Sequence, residues 1–242
     1  MKVKVKIEDT EYSHIVDKEI WCTEYASDVF AHLRDLDGFT KEDLMESLST
    51  EIQANQDNIK SSGEGMGKSG SFFFFSHDQR FLIKSMTTED FNAWMSLFRS
   101  YFDHINCFPD SLIARVYGVY SVKMDDMAPV FVLMMGNTKP CNSKYIKKLY
   151  DLKGSLVKRH SKDKNGGESL FKRSEALKDI NFLNIIQQEM FIRFYKDDAK
   201  KILDQMAFDI NLISKFNLMD YSLLFVVVFN PRYVEKYPEQ FV

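Results

Sequence analysis

Gly65-Met66-Gly67-Lys68-Ser69-Gly70 can do phosphate chemistry, and it matches two incompatible patterns. A P-loop needs a glycine, four intervening residues and then Gly-Lys-Ser/Thr, because backbone amides must ring the phosphates while the lysine folds back onto them. Gly67-Lys68-Ser69 supplies the second half, but Ser62 stands where the first glycine belongs. Context fails too. A P-loop follows a buried strand and opens a helix, whereas polar EIQANQDNIK comes before these residues and strand-like SFFFF after them. The other pattern, G-x-G-x-x-G between two regions read as β structure, is that of a glycine flap lying over nucleotide phosphates, with a lysine on a following strand pairing with them. Lys84 of RFLIK is that lysine. A dinucleotide site would want a helix after the third glycine and an acidic residue ending a second strand, and neither is read here. Taken alone, the glycines describe a flexible loop equally well, and Lys84 a surface lysine lying along apolar neighbours.

A flap and its lysine need a sheet to carry them. SFFFFS, the turn HDQ and RFLIKS read as the two strands of a hairpin, and ARVYGVYSVK and APVFVLMMGN as two more strands separated by MDDM. The opening MKVKVKIE alternates with the period of a half-buried strand. Residues 26–36 put Val29, Phe30, Leu33 and Leu36 on one helical stripe, and a short helix after Thr40 has Asp43 as its capping partner. Residues 51–69 read as a polar, glycine-rich loop. TTEDFNAWMSLFRSYFDHI reads as a helix capped by Thr87 and Asp90, with Phe91, Trp94, Met95, Phe98 and Phe102 on its inner face. Residues 143–172, rich in Lys, Ser and Gly, read as a mobile loop. Residues 197–217 read as a helix facing inward with Leu203, Met206, Ile210 and Ile213, and LLFVVVF at 223–229 as a buried strand.

The bulk numbers set the boundaries of this reading. A chain of 242 residues can bury one large core or two small ones. Cys22, Cys107 and Cys141 are odd in number and widely spaced, which fits neither a disulfide framework nor a structural zinc site and points to a reducing, intracellular setting. LLFVVVF, the longest apolar run, is far short of the roughly 20 residues of a membrane-crossing helix. A net charge of -3 argues against a general nucleic-acid binder while leaving room for a local basic face.

Two later stretches decide between the readings of the glycines: YDLKGSLVKRH at 150–160 and MDYSLL at 219–224. With SGSFFFF, FLIK, EYASDVFAHLR at 24–34 and LKDINFLN at 177–184, they resemble the signatures of the phosphatidylinositol phosphate kinases, in the family's order along nearly the whole chain. The resemblance implies an α+β, two-lobed kinase fold: an antiparallel-sheet lobe over residues 1–138 and the start of a catalytic lobe over 139–242. It implies ATP and Mg as cofactors. Lys84 takes the role of the nucleotide-phosphate lysine, Gly65, Gly67, Gly70 and Ser71 that of the flap, and Asp220 that of the catalytic aspartate. Lys153 helps to hold ATP at the reaction centre, with Asp151 and Ser155 fixing its loop. Arg159 and Lys158 meet the phosphate already on the lipid headgroup, amid a basic group that includes His160, Lys162 and Lys164. FVLMMGN takes the place of a hinge that meets adenine. The implied reaction is transfer of the γ-phosphate to a phosphatidylinositol phosphate, with the 5-hydroxyl of the 4-phosphate lipid expected first. The implied partner is a phosphoinositide on an anionic membrane, with peripheral attachment from the cytoplasm at the plasma membrane, and a homodimer is one implied assembly. One departure stands out. After Asp220 the remaining acids are Glu235 and Glu239, so the family's second, metal-binding aspartate and its activation loop are missing. The chain therefore reads as a truncated core or an impaired relative, and the alternative function is a lipid-binding or scaffold module.

Overall fold

A computed structural model describes residues 2–9, 14–64, 72–124, 127–138, 145–161, 176–188, 194–218, 221–230, 232 and 236. The chain forms two compact units, Met1–Asn137 and Thr138–Val242. Their mixture of helices with antiparallel sheet is the expected α+β class.

The first unit is built on a six-stranded antiparallel sheet in the order β1-β2-β5-β6-β4-β3. Its strands are β1 (Lys2–Asp9), β2 (His14–Tyr25), β3 (Phe73–Phe75), β4 (Phe81–Met86), β5 (Val116–Met124) and β6 (Val130–Gly136). Among the described residues four helices accompany them: α1 (Ser27–Leu36), α2 (Lys41–Ser47), α3 (Gln53–Glu64) and α4 (Thr88–Cys107). Both expected capping boxes form, Thr40 with Asp43 before α2 and Thr87 with Asp90 before α4. Each side chain satisfies a backbone amide that the first helical turn leaves without a partner. Phe30 and Leu33 of α1 are buried, whereas Leu36, expected beside them, is exposed at the helix end. In α4 the buried line is Leu97, Tyr101, His104 and Ile105. The expected stripe flanks that line because α4 is gripped from two sides. Phe91 stacks on Phe131 of the sheet with centroids 4.0 Å apart, and Phe98 meets Phe30 of α1 at 5.1 Å. Met95 falls outside both contacts and is exposed.

The expected loop over 51–69 is corrected by α3. Its sequence, QANQDNIKSSGE, has no apolar stripe, and its Ile59 is exposed. Polar side chains anchor it instead. Asn55, buried, donates through Nδ2 to the carbonyls of Ser47 and Ser49 and accepts from the His77 amide at 2.7 Å. Asn58 donates to the Phe75 carbonyl at 3.0 Å. Beside them Asp78 accepts from the hydroxyls of Ser47 and Ser76, both at 2.6 Å, and from Arg80 Nε at 2.7 Å, while Arg80 also reaches Asp43 at 3.0 Å.

Two carboxyls of this cluster are shifted in the same direction. Partial burial works against ionisation of Asp78, but hydrogen bonds from Ser47, Ser76 and Arg80 outweigh it and hold the carboxyl below its ordinary range. Hydrogen bonds from Thr40 and then Arg80 hold Asp43 at about 2. Carboxyls depressed on folding add stability above their unfolded value of about 3.9 and lose it as pH falls through the folded value. The urea midpoint of the chain is therefore expected to drop steadily as pH falls from about 5 to about 2. Asp78→Asn should be less stable at neutral pH and show a flatter acid decline; parallel declines in both proteins would refute the assignment.

In the second unit β7 (Ile146–Leu152) pairs antiparallel with β8 (Leu223–Val228), accompanied by α5 (Asp179–Gln188) and α6 (Lys196–Lys215). β7 replaces part of the loop expected over 143–172. Ile146 and Tyr150 are buried, and a register irregularity between Ile146 and Lys148 blurs the alternation that marks a strand. β8 is the expected strand, but in a two-stranded ribbon its ends stay open, and Leu223 and Val228 are exposed. α6 presents Asp209 and Leu212 inward, while Leu203 and Ile210, expected inside, are exposed. A buried aspartate, receiving a hydrogen bond from Gln205 at 2.9 Å, is invisible to a search for apolar period.

Candidate active site

Lys84 lies on β4, paired with Phe73 of β3 on one side and Leu133 of β6 on the other. Directly paired residues share a face of a sheet, as do residues two apart along a strand. Lys84 is therefore on the face of Leu133 and Phe131, and Phe131 carries Phe91 of α4. The lysine is exposed, and among the described residues its ammonium has no carboxylate partner. By sequence position Glu89 or Asp90 could pair with it; both lie in the first turn of α4, where Asp90 closes the cap. The glycine segment itself, with Gly65, Gly67, Gly70 and Ser71, lies outside the described residues. Its flanks are described: α3 runs up to it and β3 leads away. This corrects the expectation of β structure on both sides, and helix-then-strand is the reverse of a P-loop's order. Asn55 meets His77 and Asn58 meets Phe75, so α3 and β3 run antiparallel and reach the segment from the same end. β6 runs to Gly136 at the expected hinge, and the first compact unit ends at the next residue.

In the second unit the DLKGS residues lead out of β7 into a loop held from inside by Asp179. Asp179 is the first residue of α5, where a helix favours negative charge. Its Oδ1 accepts from the amides of Lys153 at 3.0 Å and Gly154 at 2.9 Å, and its Oδ2 accepts from Arg159 Nε at 2.7 Å. Burial opposes its charge, but these donors, Arg159 foremost, keep the carboxyl below the ordinary range. Arg159 also donates through Nη2 to the Asp151 carbonyl and lies 3.2 Å from the Asp151 carboxylate. Its guanidinium thus enters the site as a braced cation, with Nε and Nη2 already engaged. Asn181 completes the clamp, accepting from the amides of Ser161 and Lys178 and donating to the Ser161 carbonyl. Behind the loop, Leu177 bridges to Tyr150, whose ring meets Phe182 at 5.1 Å and Phe225 at 6.2 Å. Tyr150 is wholly buried, its hydroxyl has no hydrogen-bond partner among the described residues, and burial raises its pKa.

Register brings the two diagnostic motifs together. Asp151 pairs with Leu224 and Leu152 with Leu223, so the chain leaves toward Lys153 at the same end of the ribbon where it arrives from MDYS. Tyr221 and Ser222 are described, while Asp220 lies outside the described residues, as do Lys162 and Lys164. Lys153, Lys158 and Arg159 therefore share one loop, and Lys84 belongs to the other unit. Nothing in the spacing of LKDINFLN assigns Asp179 or Asn181 a task; the available signal is an aspartate at the start of a helix. Among the described residues no group of three or more His, Cys, Asp or Glu could hold a metal ion, and no helix is long and apolar enough to cross a membrane.

Comparison with known proteins identifies the family. The family model described as phosphatidylinositol-4-phosphate 5-kinase matches residues 54–240. A Dictyostelium discoideum protein named "Probable phosphatidylinositol phosphate kinase" is 37% identical over 202 residues, 83% of this chain and 27% of the relative. A phosphatidylinositol 4-phosphate 5-kinase of Schizosaccharomyces pombe is 32% identical over 83% of this chain and 25% of its own length. A phosphatidylinositol 5-phosphate 4-kinase type-2 alpha of Sus scrofa is 30% identical over 91% of this chain and 51% of its own length. The chain thus spans from a quarter to about half of the length of these relatives. On the family match and these identities, the chain belongs to the phosphatidylinositol phosphate kinase family.

Proposed function

We propose that the chain supplies the nucleotide-handling part of a lipid kinase that transfers the γ-phosphate of MgATP to the inositol ring of a phosphatidylinositol phosphate. The observation that carries this reading is the β7–β8 register, which joins the start of the DLKGS loop and the residues after Asp220 at one ribbon end. Lys84 pairs with ATP phosphates beneath the flap of Gly65, Gly67, Gly70 and Ser71. Lys153 adds a second cation, and Asp220 orients the ring hydroxyl for in-line attack. The magnesium ion travels with the nucleotide as part of the substrate. Lys158, exposed at a positive φ of 56°, meets the phosphate already on the headgroup, and Arg159 stands beside it, braced by the two aspartates. The preferred substrate is the 4-phosphate lipid, giving the 4,5-bisphosphate at the plasma membrane, in line with the 5-kinase relative and family model. One other reading is a module that binds phosphoinositide without turnover, which needs only the braced Arg159 and the exposed Lys158.

Labelled ATP, Mg and vesicles carrying the 4-phosphate, the 5-phosphate or unphosphorylated phosphatidylinositol separate the possibilities. Label is expected in the 4-phosphate lipid, at the 5-position. Label in the 5-phosphate lipid alone would reverse the substrate assignment, and vesicle binding without label would support the module. Lys84→Met is expected to weaken ATP binding at least tenfold, about 1.4 kcal/mol, when nucleotide affinity is measured directly. Unchanged affinity would remove Lys84 from the site.

A further inference from the structure

The loop held by Asp179 turns two aliphatic side chains to solvent: Leu156 is 62% exposed and Val157 78%. A slack loop would fold such residues against the body, because removing apolar surface from water is favourable. This loop is not slack. Gly154 and Lys158 bracket the tip, both at positive φ, 67° and 56°. Ser155 Oγ accepts from the Val157 amide across the turn at 3.3 Å. Both ends of the loop are tied to the same carboxylate, one through the amides of Lys153 and Gly154 and the other through Arg159. Lys153, Lys158 and His160 are exposed around the tip. The tip is far smaller than the roughly 800 Å² per partner of a stable protein interface. A pair of aliphatic side chains flanked by basic ones suits the boundary of an anionic bilayer, where cations meet headgroup phosphates and apolar groups enter the acyl region.

We infer that Leu156 and Val157 form a membrane wedge, inserted into an anionic leaflet while the basic residues beside them sit among the headgroups. The inference rests on the lipid-kinase reading for its purpose, but its test does not need turnover. Val157→Trp places a reporter on the tip. With vesicles of phosphatidylcholine, phosphatidylserine and phosphatidylinositol 4-phosphate, its emission is expected to shift to the blue and to be quenched by brominated acyl chains, each measured against the same vesicles with the parent chain. Absence of quenching overturns the wedge. Emission already blue-shifted without vesicles would show that polypeptide covers the tip, and would overturn it too. In parallel, the double change Leu156→Ser with Val157→Ser is expected to weaken vesicle binding about tenfold. It should leave phosphorylation of a soluble short-chain phosphatidylinositol 4-phosphate within twofold. Undiminished vesicle binding, or an equal loss on the soluble substrate, defeats the proposal. A parent chain that phosphorylates neither substrate defeats the kinase reading instead, and the tryptophan signal still decides the wedge.

Discussion

Replacing Asp179 by alanine is expected to destabilise the second unit by about 3–5 kcal/mol, the usual consequence of removing one partner of a buried ion pair. The pair qualifies, since the side chains of Arg159 and Asp179 are only 12% and 9% exposed. Alanine would leave the mostly buried guanidinium with the Asp151 carboxylate as its one remaining acidic partner among the described residues, and would strip the amides of Lys153 and Gly154 of their acceptor. Asp179→Asn should fall between, because an amide oxygen still accepts a hydrogen bond but cannot balance the cation. Arg159→Met should cost less when Asp179→Leu accompanies it than the sum of the two single changes, as expected for coupled neighbours. Urea unfolding followed by circular dichroism measures all of these. A loss below about 1 kcal/mol in the alanine variant would mean the loop does not depend on this carboxylate. The sign with pH follows from its depressed pKa: the contribution is present above about pH 4 and drains away as acid titrates the folded carboxyl.

The second large effect belongs to Asp220. If it orients the attacking ring hydroxyl, Asp220→Asn keeps the shape and hydrogen bonding of the side chain but removes its charge and basicity. Transfer to vesicle lipid is then expected to fall about 10²–10⁴-fold, the range typical of a positioned acid–base group. Binding of ATP and of vesicles should stay within a factor of about two, so the loss should appear in kcat with KM nearly constant. Single-turnover assays with labelled ATP read this directly. An asparagine variant with parental turnover would strip Asp220 of its role, whichever lipid is the substrate. A comparable fall in nucleotide affinity would instead make it a binding residue and move the chemistry elsewhere.

Elements whose signal is local were legible in the sequence. The caps at Thr40 and Thr87, the β3–β4 hairpin and the paired strands β5 and β6 all announce themselves through spacing within a few residues. α3 hid because amide side chains, not an apolar stripe, hold it in place. β7 hid among lysines and a bulge, and the inner face of α6 hid because a buried aspartate interrupts it. At the site, Lys84 and the DLKGS residues could be named from motif alone. The bracing of Arg159 could not, since it depends on a carboxylate 20 positions away arriving beside it through the Leu177 bridge. The meeting of DLKGS with MDYSLL is a matter of strand register, which no short pattern encodes.

The asparagine clamp between α3 and the β3–β4 turn has one more consequence. The position of Lys84 is set by its neighbours Phe73 and Leu133, and the course of α3 by Asn55 and Asn58. Both anchors lie outside residues 65–71, so the length and make-up of that connector are free to change without dragging the lysine along. Sequence variation can thus accumulate in that connector while Lys84 keeps its place between β3 and β6.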